Sequence, residues 1–321
     1  MKAIVCYNYG PPDVLRYEDV EKPTPGAGEV LLKIRAAAVN PWDWHMMRGS
    51  PALVRLVAGA RRPKDRRTGA DVAGQVEAVG ANVTRFKPGD EVFGVCRGAF
   101  AEYACAAEST LVAKPAGISF EQAAAAPMAA LSALQALRDK GRIEAGHRVL
   151  INGAAGGVGT FAVQIAKAFG AEVTGVCSGA NVDMVRSIGA DRVVDYTRED
   201  FTRSAERYDI LLDCIGNHSL SERRRILNPN GTCVLVGGKE DGGLFGPLVG
   251  AIGALAMSLF VSQRFLMFLA KVKAGDLAVL ADLMAAGKIA PVIDRRYPLS
   301  EVPAAIRYLE TGHARGKVVI V

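Results

Sequence analysis

No two of the six cysteines are spaced C-x-x-C, and no short repeat or low-complexity run occurs in the chain. Cys6, Cys96, Cys105, Cys177, Cys214 and Cys233 are scattered, several inside apolar strand-like runs such as VTGVC, ILLDC and TCVLV. A disulfide framework or a structural zinc site therefore has no support, and packing is the role expected of the thiols. Aromatics are scarce, at 7% of residues, and none interleaves with the basic runs Arg61–Arg67 and Arg223–Arg225. A single-strand nucleic-acid platform needs that interleaving, so both runs read as solvated surfaces and no nucleic-acid partner is expected. The opening MKAIVCYNYG lacks the apolar h-region and cleavage site of a secretory signal, which makes a cytoplasmic location the expectation. Charge is missing altogether from Leu244 to Val261 (LFGPLVGAIGALAMSLFV). That length reaches the lower limit for a membrane span, but Gly246, Pro247, Gly250 and Gly253 interrupt it. A buried helix, a subunit contact or a lid over an apolar cleft is favoured there over peripheral membrane contact.

What is present is a globular composition: half of the 321 residues are hydrophobic and 22% are charged. The length exceeds one ordinary core, so two domains are expected. Up to about residue 125, β-rich runs (VLLKIRAAAV, VAGQVEAVG, DEVFGV, AEYACA) are separated by turns such as Lys87-Pro88-Gly89-Asp90. Ser119, followed by Glu121-Gln122 and an alanine run, reads as a capped helix, with a second helical stretch after Pro127. From Arg148 strands and helices alternate: VLING, GTFAVQIAKAFG, EVTGVC, VDMVRSIG, then RVVDY, DILLDCIG and GTCVLVGG. Short apolar runs between helices predict a parallel sheet covered on both faces. From about Tyr297 the β-rich pattern of the N-terminal part returns and ends in GKVVIV. The expected fold class is α/β: a β-rich domain at 1–125 completed by 290–321, with a doubly wound, parallel-sheet domain at 126–289 between.

The strongest chemical signal is Asn152-Gly153-Ala154-Ala155-Gly156-Gly157-Val158-Gly159, which follows a strand and opens a helix. Glycines let a backbone turn tightly and approach a pyrophosphate, and a helix N-terminus offers unpaired N–H groups to phosphate oxygens. Ala154 stands where G-x-G-x-x-G has its first glycine. In this βαβ context the motif points to a Rossmann dinucleotide site. NAD-selective sites place Asp or Glu at the tip of the second strand. Here that tip reads Cys177-Ser178-Gly179-Ala180-Asn181, with Ser178 and Asn181 as hydrogen-bond donors and Tyr196 available from the neighbouring strand. No carboxylate there repels an extra phosphate, so NADPH is the expected cofactor, although no Lys or Arg immediately follows Ser178.

The landmarks AAAVNPWDW, TGADVAGQVEAVG, KPGDEVFG, GAFAEY, NGAAGGVG, RSIGADRVVDY and GHARGKVVIV together resemble the zinc-independent quinone oxidoreductase branch of the medium-chain dehydrogenase/reductase superfamily. The resemblance runs along essentially the whole chain. It implies a GroES-like β domain beside the nucleotide domain, a homodimer, and specific roles. Ala155, Gly157 and Val158 would lie on the pyrophosphate, and Ser178 and Tyr196 on the adenosine 2′-phosphate. His313, Ala314 and Arg315 would reach NADPH from the C-terminal segment, and Gly237 and Gly238 would let the nicotinamide half approach. The zinc-dependent alcohol dehydrogenases differ. Their first catalytic cysteine aligns with Asn40, their Gly-His-Glu becomes Gly69-Ala70-Asp71, and their four-cysteine lobe is missing. Amide and methyl groups cannot replace thiolate and imidazole ligands, so no metal is expected.

Without a metal the acceptor must already be electrophilic, as quinones and α,β-unsaturated carbonyls are. The protein then supplies orientation and hydrogen-bond donors. Asn40 is the first candidate for positioning the nicotinamide or the acceptor oxygen, and Ser132 for touching the nicotinamide. Asp43 and His45 are candidates for a proton relay. For Asp43 a structural bond to nearby backbone is an equal alternative. A plain loop residue is an equal reading of His45, and Trp42 and Trp44 can serve simply as loop anchors. Two other functions stay open: an NADPH-binding scaffold or sensor with little catalysis, and a reductase of lipid-derived enoyl or alkenal compounds.

Overall fold

The structure, a computed structural model, describes residues 1–52, 54–236 and 262–321. Gly237, Gly238 and the uncharged stretch 244–261 lie outside the described residues. Among the described residues no helix is long and apolar enough to cross a membrane. The chain divides into two compact units. Met1–Leu131, Val272–Gly287 and Pro291–Val321 form the first, and Ser132–Lys271 with Lys288–Ala290 form the second.

In the first unit β1 (Lys2–Cys6) and β2 (Leu15–Asp19) pair antiparallel. A larger sheet joins β3 (Glu29–Val39), β4 (Asp71–Val79), β5 (Glu91–Val95), β6 (Tyr103–Ala107) and β7 (Leu111–Ala113) to two strands from the far end of the chain, β14 (Ile293–Tyr297) and β15 (Lys317–Ile320). Its order is β14-β15-β3-β4-β5-β7, with β6 also on β3. The β-branched and alanine-rich runs of the sequence become these strands because their apolar faces close over one core, including Val30, Leu32, Val72, Phe100 and Val318. Strand β3 is flanked by β4 on one side and β15 on the other, with Ala38 opposite Asp71 and Val39 opposite Val318. That register decides the chemistry described below. Helices α1 (Pro41–Arg48), α2 (Val54–Ala58) and α3 (Phe120–Ala125) connect or cover strands of this unit.

The second unit is a six-stranded, wholly parallel sheet. Its strands are β8 (Arg148–Asn152), β9 (Glu172–Cys177), β10 (Arg192–Asp195), β11 (Tyr208–Asp213), β12 (Leu227–Leu235) and β13 (Arg264–Met267), in the order β10-β9-β8-β11-β12-β13. The chain winds outward from β8 in one direction and then from β11 in the other. The reversal between those two strands is the switch point at which doubly wound sheets hold ligands. Helix α4 (Pro127–Gln135) leads into this unit; α5 (Gly157–Ala168), α6 (Val182–Ser187) and α7 (Leu220–Arg225) follow. Every residue of α5 from Gly159 to Ala166 is buried. The one long polar side chain of that buried stretch, Gln164, is satisfied by Thr160 O at 3.0 Å and by both backbone groups of Ala290, N at 2.8 Å and O at 2.9 Å.

Two sequence boundaries shift. The division falls inside α4, at Leu131/Ser132 rather than at residue 125, because a continuous helix carries no turn signal where the packing changes. Val272–Gly287, placed by sequence in the 126–289 domain, belongs to the first unit. Its helix α8 (Ala274–Ala285) buries Leu277, Leu280 and Met284 and packs on β7. The last helix, α9 (Val302–Glu310), sits on the core of the first unit through Val302, Ala305 and Ile306.

Candidate functional site

The glycine-rich turn leaves β8 through Gly153 at φ +85°, a left-handed conformation that L side chains rarely adopt. The N–H groups of Gly153 and Ala154 both donate to Val176 O, at 3.2 and 3.0 Å, and Gly156 N donates to Gly153 O at 3.0 Å. Ala154 and Ala155 are buried against the sheet. Gly156 is the N-cap of α5, which has neither a capping side chain nor an acidic residue in its first turn. By contrast α3 and α7 are closed by complete capping boxes, Ser119 with Gln122 and Ser219 with Glu222. The N–H groups of Gly157, Val158 and Gly159 have no acceptor within their helix, and the helix dipole adds positive potential at that end. The two flanking glycines differ in purpose. A Cβ on Gly159 would stand 2.1 Å from Gly153 O, so packing of turn on helix demands glycine there. A Cβ on Gly156 would meet only that same oxygen, at an ordinary 3.4 Å, so glycine there leaves a backbone surface bare.

Beside this turn a buried polar network welds the strand ends at the switch point. Asp213 ends β11 opposite Asn152, the last residue of β8. Its Oδ1 accepts from Asn152 Nδ2 (2.9 Å), Gly216 N (2.9 Å) and Ile215 N (3.1 Å), and its Oδ2 from Arg223 Nε (2.8 Å). Asn152 Nδ2 also donates to Asn217 Oδ1 at 2.9 Å. Arg223, read from sequence as part of a solvated basic run, is only 5% exposed. Its partner explains the difference: a buried carboxylate ten residues upstream draws one guanidinium of the run inward.

At the adenosine end, Ser178 closes β9 and accepts from Asn181 Nδ2 at 3.1 Å. Asn181 Oδ1 is buried and has no hydrogen-bond partner. Tyr196 is exposed, its backbone tied to Cys177 O at 3.1 Å. The expectation that no carboxylate stands here needs correction. Parallel pairing sets Asp195 opposite Cys177, and Asp195 Oδ2 lies 2.7 Å from where a Cβ of Gly179 would be. That carboxylate is engaged. Its Oδ1 accepts from Thr197 Oγ1 at 2.7 Å and Thr197 N at 3.0 Å, and Arg198 Nε stands 3.6 Å from Oδ2. The bonds from Thr197 hold the Asp195 carboxyl below the usual range, with Arg198 and Gly179 N adding to them.

The first unit concentrates its polar chemistry at the end of β3. Asn40, Asp43, Asp71 and Lys317 are all buried. Asn40 Nδ2 donates to Asp71 Oδ2 at 2.9 Å and to Ala38 O at 3.3 Å, while Lys317 Nζ donates to Asn40 Oδ1 at 2.5 Å and to Asp71 Oδ2 at 3.3 Å. Asp71 Oδ1 accepts from Met128 N at 2.9 Å. The strand register produces this convergence: Asp71 opens β4 and Lys317 opens β15 on the two sides of β3, and Asn40 leaves β3 between them. In the sequence Asp71 stands out only for the histidine missing beside it, and Lys317 does not stand out at all. The available signal is a lone lysine heading the apolar run KVVIV.

Asp43 takes its structural alternative, accepting from Asn40 N at 2.7 Å and so capping α1. Burial raises its carboxyl to about 7, with the bond from Asn40 opposing that rise, Asp71 adding to it and Lys317 opposing it. Burial also raises Asp71, against the pull of Lys317 and Asn40. His45 engages other partners than Asp43. Its Nδ1 lies 2.8 Å from Ser50 O, and its ring stacks on Trp44 with centroids 3.7 Å apart. A carbonyl only accepts, so Nδ1 is the ring nitrogen that donates in this contact. No direct Asp43–His45 bond supports the relay. Trp42 is 47% exposed, whereas Trp44 packs on the core. In the C-terminal turn His313 and Arg315 donate backbone N–H groups to Thr311 Oγ1 (3.4 Å) and Asp294 Oδ2 (3.0 Å), and Ala314 packs on the core of the first unit. Ser132 lies on α4 in the second unit.

The candidates at the glycine-rich turn and at the tip of β9 thus lie in the second unit, with an uncapped helix start, a bare glycine cradle and an acceptor, Asn181 Oδ1, that lacks a donor, whereas His313, Ala314 and Arg315 belong to the first unit. A diphosphate and a ribose hydroxyl fit those three features. Comparisons with known proteins agree in kind. Residues 26–116 match the alcohol dehydrogenase GroES-like domain, and residues 188–320 match the family described as zinc-binding dehydrogenase. The mitochondrial NAD(P)H oxidoreductase RTN4IP1 of Mus musculus is 36% identical over all of this chain and 89% of its own length. A chloroplastic NADPH-dependent alkenal/one oxidoreductase of Arabidopsis thaliana is 33% identical over all of this chain and 79% of its own. The solved structure of the quinone oxidoreductase from Coxiella burnetii superimposes with a TM-score of 0.88 at 31% identity, covering 100% of this chain and 98% of that one.

Proposed function

The chain belongs to the medium-chain dehydrogenase/reductase superfamily, among its quinone oxidoreductase-like members, and from that premise we propose that it is an NADPH-dependent reductase of quinones or α,β-unsaturated carbonyls. The observation that carries the reading is the uncapped start of α5 beside the bare Gly156, a ready seat for a diphosphate. When bound, the reduced nicotinamide supplies the hydride that a conjugated acceptor takes up without a Lewis acid. The chain's own part is to bind and to orient. The N–H groups of Gly157, Val158 and Gly159 would hold the diphosphate, and the Asp213 network holds the loop 214–217 that follows β11. Helix α1, which follows β3 and is capped by Asn40, orients the acceptor. Among the described residues no side chain is assigned as an obligatory acid; solvent protonates the hydroquinone anion or the enolate that hydride arrival leaves.

The family description includes zinc, and the residues of this chain do not fit it. Where ligands are needed it has an amide, Asn40, a methyl, Ala70, and one carboxylate, Asp71, which already shares a buried ammonium with that amide. A divalent cation beside Lys317 would meet repulsion and too few soft donors.

The preference for the phosphorylated coenzyme is the finer part of the proposal. Ser178, Asn181 and Tyr196 offer hydrogen-bonding groups, and Arg198, exposed and drawn toward Asp195, supplies a cation the sequence lacks directly after Ser178. Asp195 opposes this less than a bare carboxylate would, since Thr197 and Arg198 already engage it. Calorimetry with NADPH and NADH tests it: wild type should bind NADPH more tightly, and Arg198→Ala should lower that affinity while leaving NADH unchanged. A wild-type preference for NADH would reverse the coenzyme assignment. For the reaction itself, NADPH absorbance should fall only when a quinone or enone is added. Tight NADPH binding with no turnover across a broad acceptor panel would leave a scaffold or sensor instead.

A further inference from the structure

Lys317 is a buried cation that hydride transfer as just described does not use; its side chain is 3% exposed. An ammonium can only donate and a carboxylate can only accept. The Asn40 carboxamide between Lys317 and Asp71 therefore has one favourable orientation, with Oδ1 toward the ammonium and Nδ2 toward the carboxylate. The backbone of the same residue is fixed separately, through Asp43. Asn40 caps α1, so these bonds set how that helix, which bears Trp42, Trp44 and His45 and was expected as a loop, leaves the sheet.

We infer that Lys317 is the resident cation of this site, bridging Asn40, which stands at one metal-ligand position, and Asp71, which directly follows the other, and a positioning residue that sets the Asn40 carboxamide and the start of α1. The inference rests on the reductase reading and adds to it the device that replaces a metal. The competing role is plain charge neutralisation, in which Lys317 does nothing but offset Asp71. The two roles separate in a double substitution, because a neutral pair removes the need for offset without restoring a donor-only partner for Asn40.

The test uses the full chain as wild type, Lys317→Arg, Lys317→Met and the double variant Asp71→Asn with Lys317→Met. Each is followed by steady-state kinetics with NADPH and a quinone, NADPH calorimetry, thermal unfolding and zinc content. Lys317→Met should lose kcat on the order of 10²-fold, as misoriented reacting groups do, with NADPH affinity largely kept because the diphosphate cradle at the start of α5 is untouched. Lys317→Arg should keep most of kcat. The double variant should regain thermal stability but not kcat. A folded Lys317→Met with wild-type kcat overturns the inference, as does a double variant that regains both, and so does stoichiometric zinc in the active wild type. Should Lys317→Met fail to fold, the double variant, which buries neither of these charges, carries the decision. Wild type that reduces no conjugated acceptor sinks the reductase reading instead. Exchange of the Asn40 side-chain amide protons, slow in wild type and fast in the double variant, then decides the orientation claim alone; equal exchange rates overturn it.

Discussion

The two units build their sites from different materials. The nucleotide unit uses backbone: glycines that bare a turn, the uncapped start of α5, and a strand order that reverses between β8 and β11. The β-rich unit uses side chains, four of them, drawn from positions 40, 43, 71 and 317 into one buried knot. Backbone sites are written in a short local motif and depend on shape. Side-chain sites are written across the whole chain and depend on charge balance in a dry interior. The units should therefore fail differently under mutation.

The largest effect expected breaks the contrast from within, because the nucleotide unit has a buried ion pair of its own, Asp213 with Arg223. Arg223→Met would leave Asp213 buried without its guanidinium. Truncating one member of such a pair costs about 3–5 kcal/mol, and chemical denaturation should show it. The loop 214–217 hangs on the same carboxylate, so NADPH affinity should fall with stability. A stability within error of wild type would show that Asp213 is satisfied by Asn152 and the two backbone donors alone.

Next in size is Gly159→Ala. The added methyl would overlap the carbonyl of Gly153, and overpacking of this kind costs about 3 kcal/mol. Lowered stability together with lost nucleotide binding is the outcome expected of a site made by shape. A variant as stable as wild type would mean that the turn relaxes and that close contact of turn on helix is dispensable.

What the sequence alone makes legible follows the same division. The Ser119–Gln122 cap, the strand runs and the turn at Gly153 are readable because each is a property of a few adjacent residues. The knot at Asn40 is not. Its bonds join residues 31, 246 and 277 positions apart, and only the pairing of β4 and β15 on either side of β3 brings them together. Asp195 is hidden for the same reason, since its approach to Gly179 depends on the register of β10 against β9. Arg223 misleads because a run of three arginines looks solvated until a buried partner for one of them is known.

The third prediction concerns proton balance in the β-rich unit. Burial raises the Asp43 carboxyl to about 7, so between the ordinary carboxylate range and that value the folded chain holds a proton that the unfolded chain has lost. Stability from this group is therefore lost as pH rises through the window and levels off above about 7. Surface carboxylates such as Asp19 and Asp195, held low, act in the opposite sense and lose their contribution on acidification. Asp43→Asn keeps an acceptor for Asn40 N and removes the titration. Urea midpoints from mildly acidic to neutral pH should then fall less steeply, by on the order of 2 kcal/mol across the window. Parallel slopes for wild type and variant would show Asp43 ionised throughout, with Lys317 holding both carboxylates charged.

The smallest effect on stability carries the sharpest test of the backbone site. Gly156 is the N-cap of α5 with φ −82°, a conformation open to any residue, and an added Cβ would meet only Gly153 O at 3.4 Å. Replacing an N-cap glycine with alanine forfeits little, since glycine itself offers no capping oxygen, and a cost below about 1 kcal/mol is expected. The methyl would nevertheless stand on the surface that a diphosphate must approach. Gly156→Ala should therefore unfold like wild type while binding NADPH and NADH more weakly by similar factors, because the diphosphate is common to both. That pairing of intact stability with reduced affinity is what separates a glycine kept for a ligand from one kept for packing, as at Gly159. Unchanged affinity for both coenzymes would move the phosphate seat away from this turn and leave the uncapped start of α5 without its explanation.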